Sequence, residues 1–302
     1  MNILLIGGSG HVSGALARAA VDAGHAVWAV TRGRRSPVDG VQPLTADRHD
    51  DTALAAALDA AGMTWDLAVD CIGYDVPDIR QDITHLRDRA AQFVFISTDF
   101  VYDPDQRRYP QPEAAASWET VREYGRNKRR CEEALLASDW LAWTIVRPCH
   151  IYGPASELGC LPPHGRDPEL IARLHAGQPL RLVGGGYFLQ QPLLADDLAC
   201  AILSVAGHSR AHRRIVNVAG PEIIESRSYY RIIADILGVT LNVEEVPVDV
   251  YRAAHPEAAP FLCHRIADLR SLEECGLAVP ATPVETGLRY HVEGLLRRKG
   301  KD

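Results

Sequence analysis

The chain lacks any long apolar run. Nothing in it approaches the ~20 consecutive apolar residues that a membrane-crossing helix needs. The apolar start, Met1-Asn2-Ile3-Leu4-Leu5-Ile6-Gly7, reads as a strand entering a turn, too short for a signal peptide or a span. A cytoplasmic protein without a membrane partner is the expectation. Close cysteine pairs are missing too. Cys71, Cys131, Cys149, Cys160, Cys200, Cys263 and Cys275 show no C-x-x-C and no Cys/His ligand spacing, so neither a metal site nor a disulfide framework is expected, and the thiols should be reduced. Positive charge is short: 32 Lys and Arg against 39 Asp and Glu leave a net −7. A nucleic-acid partner would need a basic face, so none is expected. Basic runs at Arg32–Arg35, Arg126–Arg130 and Arg297–Lys301 read chiefly as solvated surface, the last as a frayed terminus. Repeats and low-complexity tracts are absent.

What is present is an ordinary globular composition, 47% hydrophobic and 24% charged over 302 residues, enough for a sizeable core in one large or two unequal α/β domains. Apolar runs at Ile3–Ile6, Ala26–Thr31, Leu67–Ile72, Phe93–Ser97 and Trp143–Arg147 read as buried strands. Helical patterns over Gly14–Ala23, Asp50–Ala61, Ile79–Ala91 and Glu123–Ser138 alternate with them. Continuous hydrophobic strands alternating with helices predict an α/β, doubly wound parallel sheet of the Rossmann type, with ligands at the carboxyl ends of the strands. After Pro148 the texture changes. Residues 153–168 are a Gly- and Pro-rich loop, followed by helices over Pro168–Ala176, Asp196–Val205 and Ser226–Leu237 and strands over Ile215–Val218 and Leu241–Val246. The expected division is a dinucleotide-binding domain over 1–150 with a returning segment at about 189–219, and an interleaved, smaller substrate-binding domain over 151–188 and 220–302.

Gly7-Gly8-Ser9-Gly10-His11-Val12-Ser13-Gly14 lies between the first strand and the first helix. Glycines there let the backbone approach a pyrophosphate whose charge the helix N-terminus stabilises. Ser13 stands where a third glycine is usual. The second strand ends in Thr31-Arg32-Gly33-Arg34-Arg35, without the acid that accepts from a ribose 2′-hydroxyl. Arg32 can pair with a 2′-phosphate, which favours NADP over NAD. Asp47 is placed to meet the adenine amino group. Tyr124 and Lys128 are at i and i+4 on one helix face, where an ammonium would lower a phenol pKa that is ~10 in water. Ser97-Thr98-Asp99 precedes them.

Together these residues resemble the extended short-chain dehydrogenase/reductase family, also called the NAD-dependent epimerase/dehydratase family. The landmarks are Gly7-x-x-Gly10, Asp47, Asp70-Cys71-Ile72-Gly73, Ser97 to Tyr102, Tyr124-x-x-x-Lys128, Arg147-Pro148, Tyr152-Gly153-Pro154, Asp196 to Ala199 and Asn217 to Gly220. The resemblance implies an oxidoreductase in which Tyr124 is the general acid/base, Lys128 holds the nicotinamide ribose and Thr98 bonds the reacting oxygen. It also implies cofactor contacts at Gly7, Ser9, Gly10, His11, Val12, Arg32, Asp47, Arg48, Ile72, Gly73, Tyr74 and Pro148. Asp99, Phe100, His150 and Gln190 are the implied substrate-side residues, with Tyr187, Phe188, His164, Arg166 and Asp167 as further candidates by location. Phe100 replaces the glutamate base of the family's 4,6-dehydratases, which argues against that elimination. Gln190 replaces an arginine that grips a nucleotide diphosphate, and Arg265 could stand in for a second one. The expected reaction is epimerisation at a secondary alcohol of a sugar, nucleotide-sugar or similar polyol. Alternatives are an NADPH-dependent keto-sugar reductase and a non-catalytic cofactor-sensing or RNA-binding relative. Homodimerisation is common in the family.

Overall fold

The computed structural model describes residues 1–299. In chain order the first part is β1 (Asn2–Ile6), α1 (His11–Asp22), β2 (Ala26–Thr31), β3 (Val41–Thr45), α2 (Asp51–Ala61), β4 (Leu67–Asp70), α3 (Val76–Leu86), β5 (Phe93–Ile96), α4 (Glu123–Leu136) and β6 (Trp143–Pro148). A 3₁₀ turn over Asp99–Val101 follows β5. The remainder is β7 (Ile151–Tyr152), α5 (Leu170–His175), β8 (Leu180–Val183), β9 (Leu189–Gln190), β10 (Leu193–Leu194), α6 (Ala195–Leu203), β11 (Arg214–Val218), β12 (Ile224–Glu225), α7 (Ser226–Leu237), β13 (Val243–Val246), α8 (Val248–Ala254), α9 (Arg270–Glu274) and α10 (Val284–Lys299).

Seven strands form one parallel sheet in the order β11-β6-β5-β4-β1-β2-β3. Every residue of β4, β5 and β6 is buried, as a sheet covered on both faces requires. The order reverses between β1 and β4, which opens a crevice at their carboxyl ends. On one face α1 packs on α6 through Leu16, Ala20, Leu198 and Ile202. On the other, α3 and α4 bring Ile79, Leu86, Cys131 and Leu135 against Trp65 and Trp143. A third apolar cluster joins α5, α7 and α10 to the β8–β13 ladder through Leu174, Leu182, Ile233 and Leu288. The segment entering β11 returns to the edge of the large sheet, whereas residues 158–188 and 229–295 supply most of the third cluster.

Several boundaries differ from the sequence expectation for local reasons. Strand β4 stops at Asp70 because its carboxylate turns back to accept from the N–H groups of Ile72 and Gly73, both at 2.8 Å. Helix α3 starts at Val76 rather than Ile79: Asp78 accepts from the Tyr74 N–H at 2.7 Å and Pro77 lies in the first turn, where its missing N–H costs no helical bond. It ends at Leu86, short of Ala91. Helix α10 carries the basic run as far as Lys299; Lys301 and the last three residues of the expected substrate domain lie outside the described residues. All seven cysteines are free. Among the described residues no helix is long and apolar enough to cross a membrane, and no group of three His, Cys, Asp or Glu could hold a metal ion.

Candidate active site

A cleft of about 710 Å³ opens at the carboxyl ends of the central strands, within the size range of ligand pockets. Its floor near β1 is the start of α1, where Gly10, His11, Val12 and Ser13 line it. Gly7 takes φ +89° and a Cβ there would meet Ile72 at 2.8 Å, so only glycine fits that turn. Ser13 Oγ accepts from the Gly10 N–H at 2.9 Å, and no acidic side chain occupies the first turn of α1. The following backbone N–H groups therefore face the cleft without intrahelical partners, an arrangement that fits a pyrophosphate. His11 adds two buried ring nitrogens without partners. Burial, helped by Arg166, pulls its pKa down to about 4 and keeps it neutral.

The basic turn after β2 lies beside this loop: Arg35 Nη1 reaches the Ser9 carbonyl at 3.5 Å. Arg32 is exposed beside it. Asp47 is half-buried, and its carboxylate accepts from the His49 N–H at 3.1 Å. Neither Arg32, Asp47, Gly7 nor Ser9 lines the cleft itself. The Arg48 side chain, expected at the cofactor, is held elsewhere. It is buried against Asp70 at 2.9 Å and Asp78 and Asp82 at 3.2 Å, tying the end of β3 to β4 and α3. Ile72, Tyr74 and Pro148 line the cleft; Gly73 sits behind it and presents its carbonyl to Lys128 at 2.8 Å.

Tyr124 and Lys128 project from the first two turns of α4, whose orientation is set from below. There Arg147, fully buried, holds Glu132 of α4 at 2.8 and 2.7 Å and donates to the Tyr102 hydroxyl at 2.9 Å. Gly125 lets α4 touch the 3₁₀ turn, since a Cβ there would overlap the Phe100 carbonyl. Thr98 begins that turn, its hydroxyl accepting from the Phe100 N–H at 3.2 Å. Thr98, Tyr124 and Lys128 thus share one wall of the cleft. The Lys128 ammonium donates to Gly73 and Ile96 carbonyls at 2.8 and 2.7 Å and lies 5.0 Å from the Tyr74 ring centre. Its burial lowers its pKa.

The lowered phenol pKa read from the i, i+4 spacing is not what the structure shows. Tyr124 is 46% exposed, yet the cleft walls desolvate the phenol and push it up to about 12, with Tyr74 and Asp99 adding to the rise and Thr98 and Arg166 opposing it. The spacing places the residues correctly on one helix face, but the ammonium is turned to the strand ends.

Opposite Tyr124, Asp99 is buried between two cations. Arg265 binds it at 2.8 and 2.7 Å and Arg107 at 3.2 Å. Burial alone would raise its pKa, and the two guanidinium groups more than offset that. Phe100 meets Tyr124 edge-on at 6.3 Å and Phe261 at 4.9 Å, and Arg265 lies 4.8 Å over its face. His150 lines the cleft. Gln190 does not: it is buried behind Cys160, donating to Ser226 Oγ at 2.8 Å and to the Cys160 carbonyl at 3.3 Å. Tyr187 and Phe188 stay outside the lining. His164 and Asp167 pair with each other at 2.8 Å, whereas Arg166 enters the cleft. Sequence reasoning missed Tyr251, Phe261 and the Pro162-Pro163 pair as lining; no motif marks them, and only the fold brings them to the cleft.

Comparison with known proteins gives four relations. The sequence model of the NAD dependent epimerase/dehydratase family matches residues 3–219. The chloroplast stem-loop binding protein of 41 kDa b from Arabidopsis thaliana is 29% identical over 239 residues, 74% of this chain. The match spans 59% of that protein's length. Among solved structures, UDP-glucose 4-epimerase of Thermotoga maritima, in complex with UDP-glucose, superposes with a TM-score of 0.77 at 18% identity over 100% of both chains. The dTDP-glucose 4,6-dehydratase of Bacillus anthracis, in complex with NAD, gives 0.75 at 17% over 99% of this chain and 98% of that one. At these identities the structures establish a shared fold.

Proposed function

The chain belongs to the NAD-dependent epimerase/dehydratase family, and from that we propose that it moves hydride to and from a secondary alcohol carbon of a sugar-like substrate, with epimerisation as the net reaction. The observation that carries this reading is the meeting of Tyr124, Thr98 and Lys128 on one wall of a cleft that begins at the N-terminus of α1. The nicotinamide of NAD or NADP supplies the hydride donor and acceptor, and the acid–base work falls to the protein. The Tyr124 phenol, protonated at neutral pH, gives its proton to a carbonyl oxygen and takes one back from the alcohol in the reverse direction. The Thr98 hydroxyl, beside it, holds that oxygen. Lys128 supplies positive charge and one ammonium hydrogen not committed to Gly73 or Ile96. Gly10, His11 and Val12 would hold the pyrophosphate, Ile72, Tyr74 and Pro148 the nicotinamide half, and Arg32 and Asp47 the adenosine end. The walls from 151–188 and 220–299 would hold the substrate.

The test is a screen of purified protein with each dinucleotide against free and nucleotide-activated sugars. An epimer forming without net change at the nicotinamide absorbance band supports the proposal. Tyr124→Phe should lower turnover by ~10²–10⁴ and leave dinucleotide affinity within about twofold; a variant retaining a third of the activity would sink the assignment.

Two observations favour other outcomes of the same screen. The exposed arginines beside the glycine loop and the resting phenol proton suit NADPH-dependent reduction of a ketone, which would show stoichiometric loss of absorbance. Similarity to a stem-loop binding protein points to RNA; the net charge of −7 weighs against it. Salt-dependent RNA binding unaffected by Tyr124→Phe, with no turnover, would favour that role.

A further inference from the structure

Lysine is scarce in this chain, at Lys128, Lys299 and Lys301 only. Lys128 is 2% exposed, and a buried ammonium sheds its proton readily unless negative charge stands near it. Its hydrogen-bond partners, the Gly73 and Ile96 carbonyls, are neutral. The Tyr74 and Phe95 ring centres, at 5.0 and 4.8 Å, add a weaker attraction. The titratable groups that act on it most strongly come from the end of β4 and from α4: Asp70, Cys131, Cys71 and Glu132. Burial raises both thiols, Cys131 to about 12, so neither carries charge at neutral pH. Glu132 is committed to Arg147 at 2.8 and 2.7 Å, Arg129 at 3.0 Å and the Ser97 hydroxyl at 2.6 Å. Asp70 remains.

Asp70 is fully buried and shares Gly73 with Lys128. Its carboxylate accepts from the Gly73 N–H at 2.8 Å while the ammonium donates to the Gly73 carbonyl at 2.8 Å. A Cβ on Gly73 would overlap the carboxylate, so only glycine lets the turn close on it. Behind Asp70 stand Arg48 at 2.9 Å and Asp82 of α3, which binds Arg48 at 3.2 Å. Asp82 Oδ2 is buried and has no donor to accept from among the described residues. Protonated, it donates to Asp70 instead: burial and the Asp70 charge hold the Asp82 carboxyl well above the usual carboxylate range. Burial alone would raise Asp70 too, but Arg48, Asp82 and the Ile72 N–H more than offset that and keep it ionised. Two buried carboxylates thus share one proton, as adjacent acids do. Asp78, on Arg48 Nε at 3.2 Å with the exposed His49 3.8 Å away, completes the group. Formal charges then balance: Asp70 and Asp78 against Arg48 and Lys128.

We propose that Asp70 is a positioning residue for hydride transfer: it fixes the Gly73 turn that Lys128 grips, and it is the counter-charge that keeps Lys128 an ammonium on the cleft wall. Asp82 serves it as a neutral donor, and Arg48 anchors it to the end of β3. The role in hydride transfer rests on the reading of Lys128 given above. The arrangement of charges does not, since it lies wholly within the protein. It also separates two acids that look alike in the fold. Asp70 acts through its charge, whereas Asp82 acts through a hydrogen that an amide can replace.

The experiment is an NMR titration of the full chain labelled with ¹³Cε-lysine, without added ligand. With so few lysines the Lys128 signal is resolved and is identified by its loss in Lys128→Arg. Asp70→Asn keeps an oxygen for the Ile72 and Gly73 N–H groups but removes the charge, and should lower the Lys128 titration midpoint by about one to three pH units. Asp82→Asn, whose amide still donates to Asp70, should leave that midpoint unchanged. A merely structural role would cost both variants stability and move the midpoint in neither. Should Asp70→Asn fail to fold, the wild type decides: aspartate ¹³Cγ signals should include a carboxyl still protonated at neutral pH and missing from Asp82→Asn. Equal Lys128 midpoints in wild type and Asp70→Asn, equal shifts in both variants, or a wild type with every aspartate ionised at neutral pH would each overturn the inference. The expected lysine titration in a protein that binds neither dinucleotide would instead overturn the proposed function.

Discussion

Replacing Asp99 with asparagine removes a carboxylate shared by two buried guanidinium groups. The side chains of Asp99, Arg107 and Arg265 are 4%, 2% and 4% exposed. Three side-chain contacts converge on the carboxylate, at 2.8, 2.7 and 3.2 Å; a fourth, from Arg107 Nη2 to the Asp99 carbonyl at 2.6 Å, survives the change. Removing one partner of a buried pair costs ~3–5 kcal/mol, because the remaining charge stays desolvated. The amide oxygen recovers one hydrogen bond to a cation, about 1.5 kcal/mol, leaving a net loss of about 1.5–3.5 kcal/mol. For a chain of 302 residues that is roughly 2–6 °C in Tm. Calorimetry across pH supplies the refutation. The folded Asp99 pKa is depressed, so its contribution is fully present above the unfolded value of ~4 and is lost as pH falls through the lower folded value. The gap between wild type and Asp99→Asn should hold from pH 8 to 5 and narrow below about pH 4. A shift under 1 °C at pH 7, or a gap that widens in acid, would refute the account of Asp99 as a buried charge clamp.

Arg32→Glu should weaken NADP⁺ binding about tenfold or more and change NAD⁺ binding by less than about threefold, read by fluorescence titration; equal losses would remove Arg32 from the 2′-phosphate. With the Tyr124 pKa raised to about 12, its basic form grows tenfold per pH unit below that value. Alcohol oxidation should therefore rise with a log–log slope of about 1 between pH 7 and 9, with carbonyl reduction flat; a plateau below pH 8 in the cofactor-bound enzyme would contradict burial as the dominant cause. Gly125→Ala drives a methyl group into the Phe100 carbonyl and to within 2.9 Å of Glu119 Cγ. It should cost ~1–3 kcal/mol and lower turnover at least tenfold by displacing Thr98 from Tyr124, so a fully active, equally stable variant would refute the close packing of α4 on that turn.

The doubly wound sheet was legible because β4, β5 and β6 are buried on both faces and so read as unbroken apolar runs. The glycine turn was legible because a positive φ at Gly7 leaves a residue signature. The helix ends were not, since they depend on particular carboxylates such as Asp78 accepting from Tyr74. The two-residue ladders β7–β10 and β9–β12 are too short to carry a period. At the site, local spacing brought out Thr98, Tyr124 and Lys128, which lie on adjoining pieces of chain. Arg265 and Asp99 are 166 residues apart, and no local pattern pairs them. Arg48 and Gln190 show the opposite failure: position along the chain matched a motif, while buried carboxylates and Ser226 took their side chains elsewhere. The phenol pKa was misjudged because a spacing argument has no means of knowing how much water the cleft excludes.

Lys128 ties two strand ends together, through the Gly73 carbonyl just past β4 and the Ile96 carbonyl at the end of β5. An ammonium has three hydrogens, and two of them make this tie. Neutral lysine has two hydrogens and a lone pair, which is enough to keep both carbonyls. As pH rises through the lowered Lys128 pKa, the strand ends therefore stay joined while the position facing the cleft changes from donor to acceptor. The same residue that fixes the width of the cleft floor can reverse its polarity without altering its shape.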